Sequence, residues 1–151
     1  MNTCRLGDSY YIAAGETRGV TKKTFIVTGA YSIQCCPFTR VDDELEYICR
    51  MAKQWIKSWR NPFATASWMH LIFARCHAFE DGNGRMSRML ASIPLMRHGF
   101  PAISITTAVT KTYYPAINEA YDGVHASLVR CMVQGMRETI ALVHVSNDGA
   151  S

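Results

Sequence analysis

The sequence has no run of ~18 uninterrupted apolar residues, the length a helix needs to cross a bilayer, so a spanning helix is excluded. Its first fifteen residues, MNTCRLGDSYYIAAG, carry Asp8 and no continuous apolar core. They do not read as a signal peptide, and a cytoplasmic location is expected, with no membrane partner. None of the six cysteines (Cys4, Cys35, Cys36, Cys49, Cys76 and Cys131) are spaced C-x-x-C. That argues against a zinc site and, in a chain of this length, against a disulfide framework. The cysteines read as structural, reduced thiols. The sequence also lacks internal repeats, low-complexity tracts and linkers. Acidic residues are the scarcer charge: sixteen Lys plus Arg against twelve Asp plus Glu leave +4 at pH 7. That surplus favours an anionic ligand but is too small for a nucleic-acid binder, so no nucleic-acid partner is expected.

What is present is the composition of a globular chain. The 151 residues are 48% hydrophobic and 19% charged. Apolar surface on that scale offsets the entropy of ordering, which disordered chains cannot do. Residues 1–151 are expected to form one domain.

Periodicity predicts mostly helix. Residues 20–41 read as extended, with Val20, Phe25, Val27 and Tyr31–Ile33 as strand formers, Gly29 as a turn and Pro37 as a stop. From Asp42 the spacing of Leu45, Ile48, Ala52, Trp55, Ile56 and Trp59 predicts a helix, broken at Asn61-Pro62. A second helix is predicted from Ala64 to Cys76, apolar on more than one face and therefore central. After a polar turn, Glu80 to Gly84, a third carries the stripe Met86, Met89, Leu90, Ile93 and Met96, kinked by Pro94 and ended by Gly99 and Pro101. A fourth is predicted with Thr112 as its cap, Pro115 in its first turn and the stripe Ile117, Ala120, Tyr121 and Val124. The last would bury Val124, Leu128, Met132, Met136, Ile140 and Val143. The predicted class is mainly α, with one small β-hairpin.

One segment concentrates chemistry: Cys76-His77-Ala78-Phe79-Glu80-Asp81-Gly82-Asn83-Gly84-Arg85-Met86-Ser87-Arg88. Gly82 and Gly84 let backbone amides converge, and the first amides of the next helix lack internal partners. Together they form an anion seat at a helix start. Arg85 and Arg88, three apart, add two forked guanidiniums, which suit a polyphosphate. Asp81 supplies one carboxylate in a cationic setting, as magnesium shared with phosphate oxygens requires. His77 can take a proton from an incoming hydroxyl. Base, metal ligand, phosphate seat and charge clamps are the parts that transfer of a phosphorus-centred group needs. The segment is not a P-loop, because the Lys-Ser/Thr pair is absent.

His77 to Arg88 resembles, position for position, the Fic family motif H-x-F-x-D/E-G-N-G-R-x-x-R. More loosely, the resemblance runs from Gly15 to Val143. Gly15-Glu16-Thr17-Arg18 resembles the family's approach to its β-hairpin flap, and Leu95–Pro101 and Lys111–Tyr114 are similar to further landmarks. The fold implied is a Fic-type helical bundle with a small β-hairpin flap. The activity implied is transfer of AMP from ATP to a Ser, Thr or Tyr hydroxyl of a protein, with pyrophosphate released. His77 would be the base, Phe79 the anchor of the loop, and Asp81 the magnesium ligand. Gly82, Asn83 and Gly84 would cradle phosphates, and Arg85 and Arg88 would bind the terminal ones. Tyr113 and Tyr114 would face adenine. Thr24, Phe25, Ile26 and Val27 would form the flap against which the target protein docks as an added strand.

The sequence departs from the family pattern at Ala78, where proline is frequent, and at Tyr121, often Asn in animal relatives. The second motif glycine separates it from the Doc branch, which has lysine there and acts as a kinase. Alternatives are transfer of UMP, phosphocholine or phosphate, or a module that binds nucleotide or peptide without turnover. The family's inhibitory pattern, Ser/Thr-x-x-x-Glu-Gly/Asn, is carried by none of the six glutamates. The chain is therefore expected to be active by itself, short at its N-terminus, and open to an inhibitory helix supplied in trans.

Overall fold

The computed structural model describes residues 5–6, 9–10, 13–27 and 33–148. In chain order it contains β1 (Arg5–Leu6), β2 (Ser9–Tyr10), α1 (Arg18–Thr21), β3 (Ile26–Val27), β4 (Ile33–Gln34), a 3-10 turn (Phe38–Arg40), α2 (Val41–Ser58), α3 (Pro62–Cys76), α4 (Asn83–Met96), α5 (Thr107–Tyr121) and α6 (Ala126–Asp148). β1 pairs antiparallel with β2, and β3 with β4 in the register Ile26↔Gln34 and Val27↔Ile33. The architecture is mainly α, as the periodicity predicts.

α3 is the hub, packing against α2, α4, α5 and α6. Asn61-Pro62, predicted as a break, is better described as a start. The Asn61 side chain accepts from the amides of Phe63 and Ala64 at 3.0 and 3.1 Å, and Pro62 occupies the first turn, where its missing N–H costs nothing. α3 buries Ala66, Met69, Leu71 and Phe73 together with Thr65, Ser67 and His70. In α2, Asp42, Asp43 and Glu44 occupy the first turn, favourable for the helix dipole. Leu128, Met132 and Met136 of α6 and Val109, Tyr113, Ala116 and Ala120 of α5 complete the core.

Several sequence expectations are corrected. The run 20–41 is extended at only two dipeptides among the described residues. Val20 and Thr21 belong to a single helical turn, because their amides bond to the Thr17 carbonyl at 3.1 and 3.2 Å. Pro37 opens the 3-10 turn, with the Arg40 amide bonded to its carbonyl at 2.9 Å. Gly29 and Tyr31, like Cys4, lie outside the described residues. Thr112 is no cap: α5 begins at Thr107, and Pro115 sits inside it. Val124 precedes α6 and is exposed, as is Ile140, while the Val143 side chain is outside the description.

Of the stripe predicted for α4, Leu90 packs against the core and Met86 is half-buried, but the rest faces outward. The buried face is Asn83, Ser87, Ala91, Ser92, Pro94 and Leu95, whereas Met89 is 61% exposed and Ile93 and Met96 are also exposed. The reason is close packing of α4 on α3, which selects small side chains at the contact. Ser92 also joins neighbouring elements, donating to the Arg88 carbonyl at 2.8 Å and accepting from the Ile103 amide at 2.8 Å. No disulfide links the described cysteines, and burial pushes the Cys76 thiol up to about 12, which leaves it inert at neutral pH.

Candidate active site

The chemistry-bearing segment forms the turn from α3 into α4. α3 ends at Cys76, and His77 caps it in the left-handed region, φ 49° and ψ 53°. A β-carbon is strained there by about 1–2 kcal/mol, so the surroundings must hold it. Arg18 does so. It is 0% exposed, and its guanidinium donates to four carbonyls: His77 at 2.5 Å, Cys36 at 2.7 Å, Lys23 at 2.9 Å and Cys76 at 3.1 Å. Its backbone amide also bonds to the Ala78 carbonyl at 2.7 Å.

The other end of the turn is closed by Asn83. Its side chain accepts from the Phe79 amide at 2.9 Å and donates to the Phe79 carbonyl at 2.7 Å. The Asn83 side chain is thus committed to the loop, and only its backbone can face a phosphate. Phe79 packs against the core, as an anchor should.

The α4 start has the features of an anion seat. Gly82 caps it at φ +80°, a conformation that disfavours side chains. Gly84 differs, because its φ is ordinary and an added β-carbon would meet only the Arg88 Nη1 atom at 3.5 Å. The fold therefore does not require glycine at 84; a ligand approaching the backbone would. Gly84→Ala is expected to leave the melting temperature unchanged or slightly higher, since alanine is the better helix former by ~1 kcal/mol, while weakening nucleotide binding. Paired melting and calorimetric measurements check this.

His77, Glu80, Asp81, Gly82, Asn83, Gly84, Arg85 and Arg88 line one cavity of about 270 Å³. Seven of these are sequence-predicted site residues; Glu80 is the addition. Asp81 pairs with Arg85 at 3.1 Å across an exposed surface. Burial holds the His77 imidazole below its ordinary value, a hydrogen bond to the Ala74 backbone works against this, and the Arg18 charge lowers it further. A neutral imidazole has one ring nitrogen able to accept a proton.

Tyr113 and Tyr114 do not line that cavity. Tyr113 is buried, and its hydroxyl lies 2.5 Å from His70 Nε2, while Tyr114, against the Tyr113 ring, is 64% exposed. Burial raises the Tyr113 hydroxyl above its ordinary value and the neighbouring Arg88 works against this, which links the motif to this pair. Of the flap residues, Phe25 sets its ring 5.6 Å from the His77 ring, Ile26 and Thr24 are exposed, and the Val27 side chain is outside the description. A larger groove of about 580 Å³ separates α5 from α6, lined in part by Lys111, Thr112, Arg130 and Glu138.

The sequence model of the Fic/DOC family matches residues 5–95. The chain belongs to that family. This Fic chain is 34% identical over 80 residues to a protein adenylyltransferase Fic of Nematostella vectensis, an alignment covering 53% of this chain and 19% of the relative. It is 49% identical over 41 residues to a Fido domain-containing protein of Dictyostelium discoideum, covering 27% of this chain and 29% of that one. A Fic domain containing signaling protein of Bacteroides thetaiotaomicron superposes with a TM-score of 0.67 at 20% identity, over 85% of this chain and 55% of that one. A fragment of Fic-1 of C. elegans does so with 0.61 at 25% identity, over 83% and 38%. The Fic chain thus spans only part of the length of each of these four proteins.

Arg18 and His70 were missed by sequence reasoning. No periodicity marks Arg18, and a lone His70 on an apolar helix carries no signal. Burial, reinforced by the Arg88 charge, pushes His70 from its ordinary 6.5 down to about 4. The unfolded chain therefore binds this proton first. The contribution is complete above 6.5 and is lost as pH falls from there toward 4, by roughly 3 kcal/mol. Urea unfolding of wild type and His70→Gln across that range is expected to show a smaller acid loss in the variant.

Proposed function

We propose that the chain is a protein adenylyltransferase, transferring AMP from ATP to a Ser, Thr or Tyr hydroxyl of a target protein. The observation that carries this reading is the grouping of His77, the α4 start, Arg85 and Arg88 around one cavity. The names of the curated relatives support it. In the reaction, the target oxygen bonds to the α-phosphorus and the α–β bridging P–O bond breaks. The hydroxyl proton passes to His77, and pyrophosphate leaves with the electron pair of the broken bond. The amides of Asn83, Gly84 and Arg85 take phosphate oxygens, and Arg85 and Arg88 bind the leaving phosphates.

Asp81 is the residue suited to a magnesium ion. Its carboxylate is 70% exposed and pairs with Arg85 beside the anion seat. Among the described residues no group of three or more His, Cys, Asp or Glu could hold a metal unaided. One carboxylate completed by phosphate oxygens matches magnesium's habit. The ion would supply charge neutralisation on the phosphates.

Tyr114 is exposed and free to meet adenine, with Tyr113 behind it. The β3–β4 sheet has two strands, so the outer edge of β3 is unpaired within that sheet and offers Thr24–Val27 to a target strand. Among the described residues no helix is long and apolar enough to cross a membrane.

The test uses two isotopically labelled ATPs and a lysate. Label at the α-phosphate should reach protein, and label at the γ-phosphate should not. Transfer of the γ-label alone would make the chain a kinase. Nucleotide binding with neither label transferred would make it a binding module.

A further inference from the structure

We propose that Arg18 is a positioning residue that sets the catalytic His77 and ties it to the β3–β4 hairpin. The inference rests on the reading of His77 as the base. The residue lies outside the motif, yet its guanidinium reaches both sides of the site. Two of its acceptors, the Cys76 and His77 carbonyls, belong to the last turn of α3 and its left-handed cap. The other two, Lys23 and Cys36, flank the hairpin on its N- and C-terminal sides. One planar fork therefore fixes four carbonyls from three separate parts of the chain, a geometry an ammonium cannot reproduce.

Neighbouring contacts run in the same direction. The guanidinium carbon sits 5.8 Å from the Phe25 ring centroid, and the same ring lies 5.6 Å from the His77 ring. Lys23, at the hairpin's N-terminal side, pairs through Nζ with Glu80 Oε2 of the motif loop at 2.5 Å. The strand on which a target would pair and the imidazole that would take its proton are therefore held by one set of contacts. The anion seat is built separately, from α4 and the Asn83–Phe79 bonds. Loss of Arg18 should thus move His77 relative to the target hydroxyl and leave the phosphate seat in place. Displacements of about 1 Å at a reacting group can cost ~100-fold in rate.

The test compares wild type, Arg18→Lys, Arg18→Met and His77→Ala. The expected result is a 10- to 100-fold lower kcat for target labelling in Arg18→Met, partial recovery in Arg18→Lys, and MgATP affinity within about 3-fold of wild type in both. Wild-type labelling by a folded Arg18 variant overturns the proposal. So does a loss that merely tracks MgATP affinity and melting temperature. Because a buried arginine can be essential for folding, native-state hydrogen exchange of the wild type gives a second measure. The amides of Cys35, Cys36 and His77–Phe79 should open together as one unit. Separate opening of hairpin and loop overturns the proposal. Labelling that survives in His77→Ala would instead refute the base assignment itself.

Discussion

Replacing His77 by alanine is expected to lower protein labelling by ~100- to 10,000-fold, the usual worth of a positioned general base, while MgATP affinity stays near that of wild type. The two quantities separate because they reside on different elements. His77 is the cap residue at the end of α3, whereas the phosphate seat is the first turn of α4. Burial keeps the ring neutral at physiological pH, the state in which it can accept a proton. Alanine in the left-handed cap keeps the same backbone bond from residue 77 to the Phe73 carbonyl, at 3.2 Å, so the loop should survive. Labelling rates and calorimetric titration of the same preparations check both halves. Equal labelling by wild type and His77→Ala would remove the histidine from the chemistry.

The second large effect is expected at Arg88. Arg88→Ala should weaken ATP by ~10- to 100-fold, the worth of charge-assisted hydrogen bonds of about 1.5–3 kcal/mol, and should weaken AMP little. AMP lacks the terminal phosphates this guanidinium would bind. The substitution has a further readout inside the protein. Burial depresses His70 and the Arg88 charge adds to that. Without it the His70 value should rise toward 6.5, narrowing the gap between folded and unfolded states, so the fold should lose less stability on acidification. Titration with both nucleotides decides the first part; equal losses for ATP and AMP would contradict the placement of Arg88.

The site was more legible than the surfaces around it. His77 to Arg88 are contiguous, so a local pattern was enough to name the residues that share the cavity. Apolar spacing alone does not mark the buried face of α4, because the contact with α3 selects Ser87, Ala91 and Ser92 and leaves Met89, Ile93 and Met96 exposed. The start of α5 was misplaced because Thr106, Thr107 and Ala108 carry no periodic apolar signal, although Val109, Tyr113, Ala116 and Ala120 form its buried face. Arg18 was the largest omission. Its role depends on carbonyls at positions 23, 36, 76 and 77, which only the fold brings together. Similarly, Asn83 was expected to serve phosphate, and only the structure shows its side chain spent on Phe79.

On the proposed function, the turn from α3 into α4 is the nucleotide's phosphate seat. Backbone amide chemical shifts followed during titration with MgATP test it directly. The largest changes are expected at Gly82, Asn83, Gly84 and Arg85, with the Arg85 and Arg88 side-chain N–H signals moving alongside them. Changes centred on the α5–α6 groove around Lys111 and Arg130, with residues 82–88 unmoved, would contradict it.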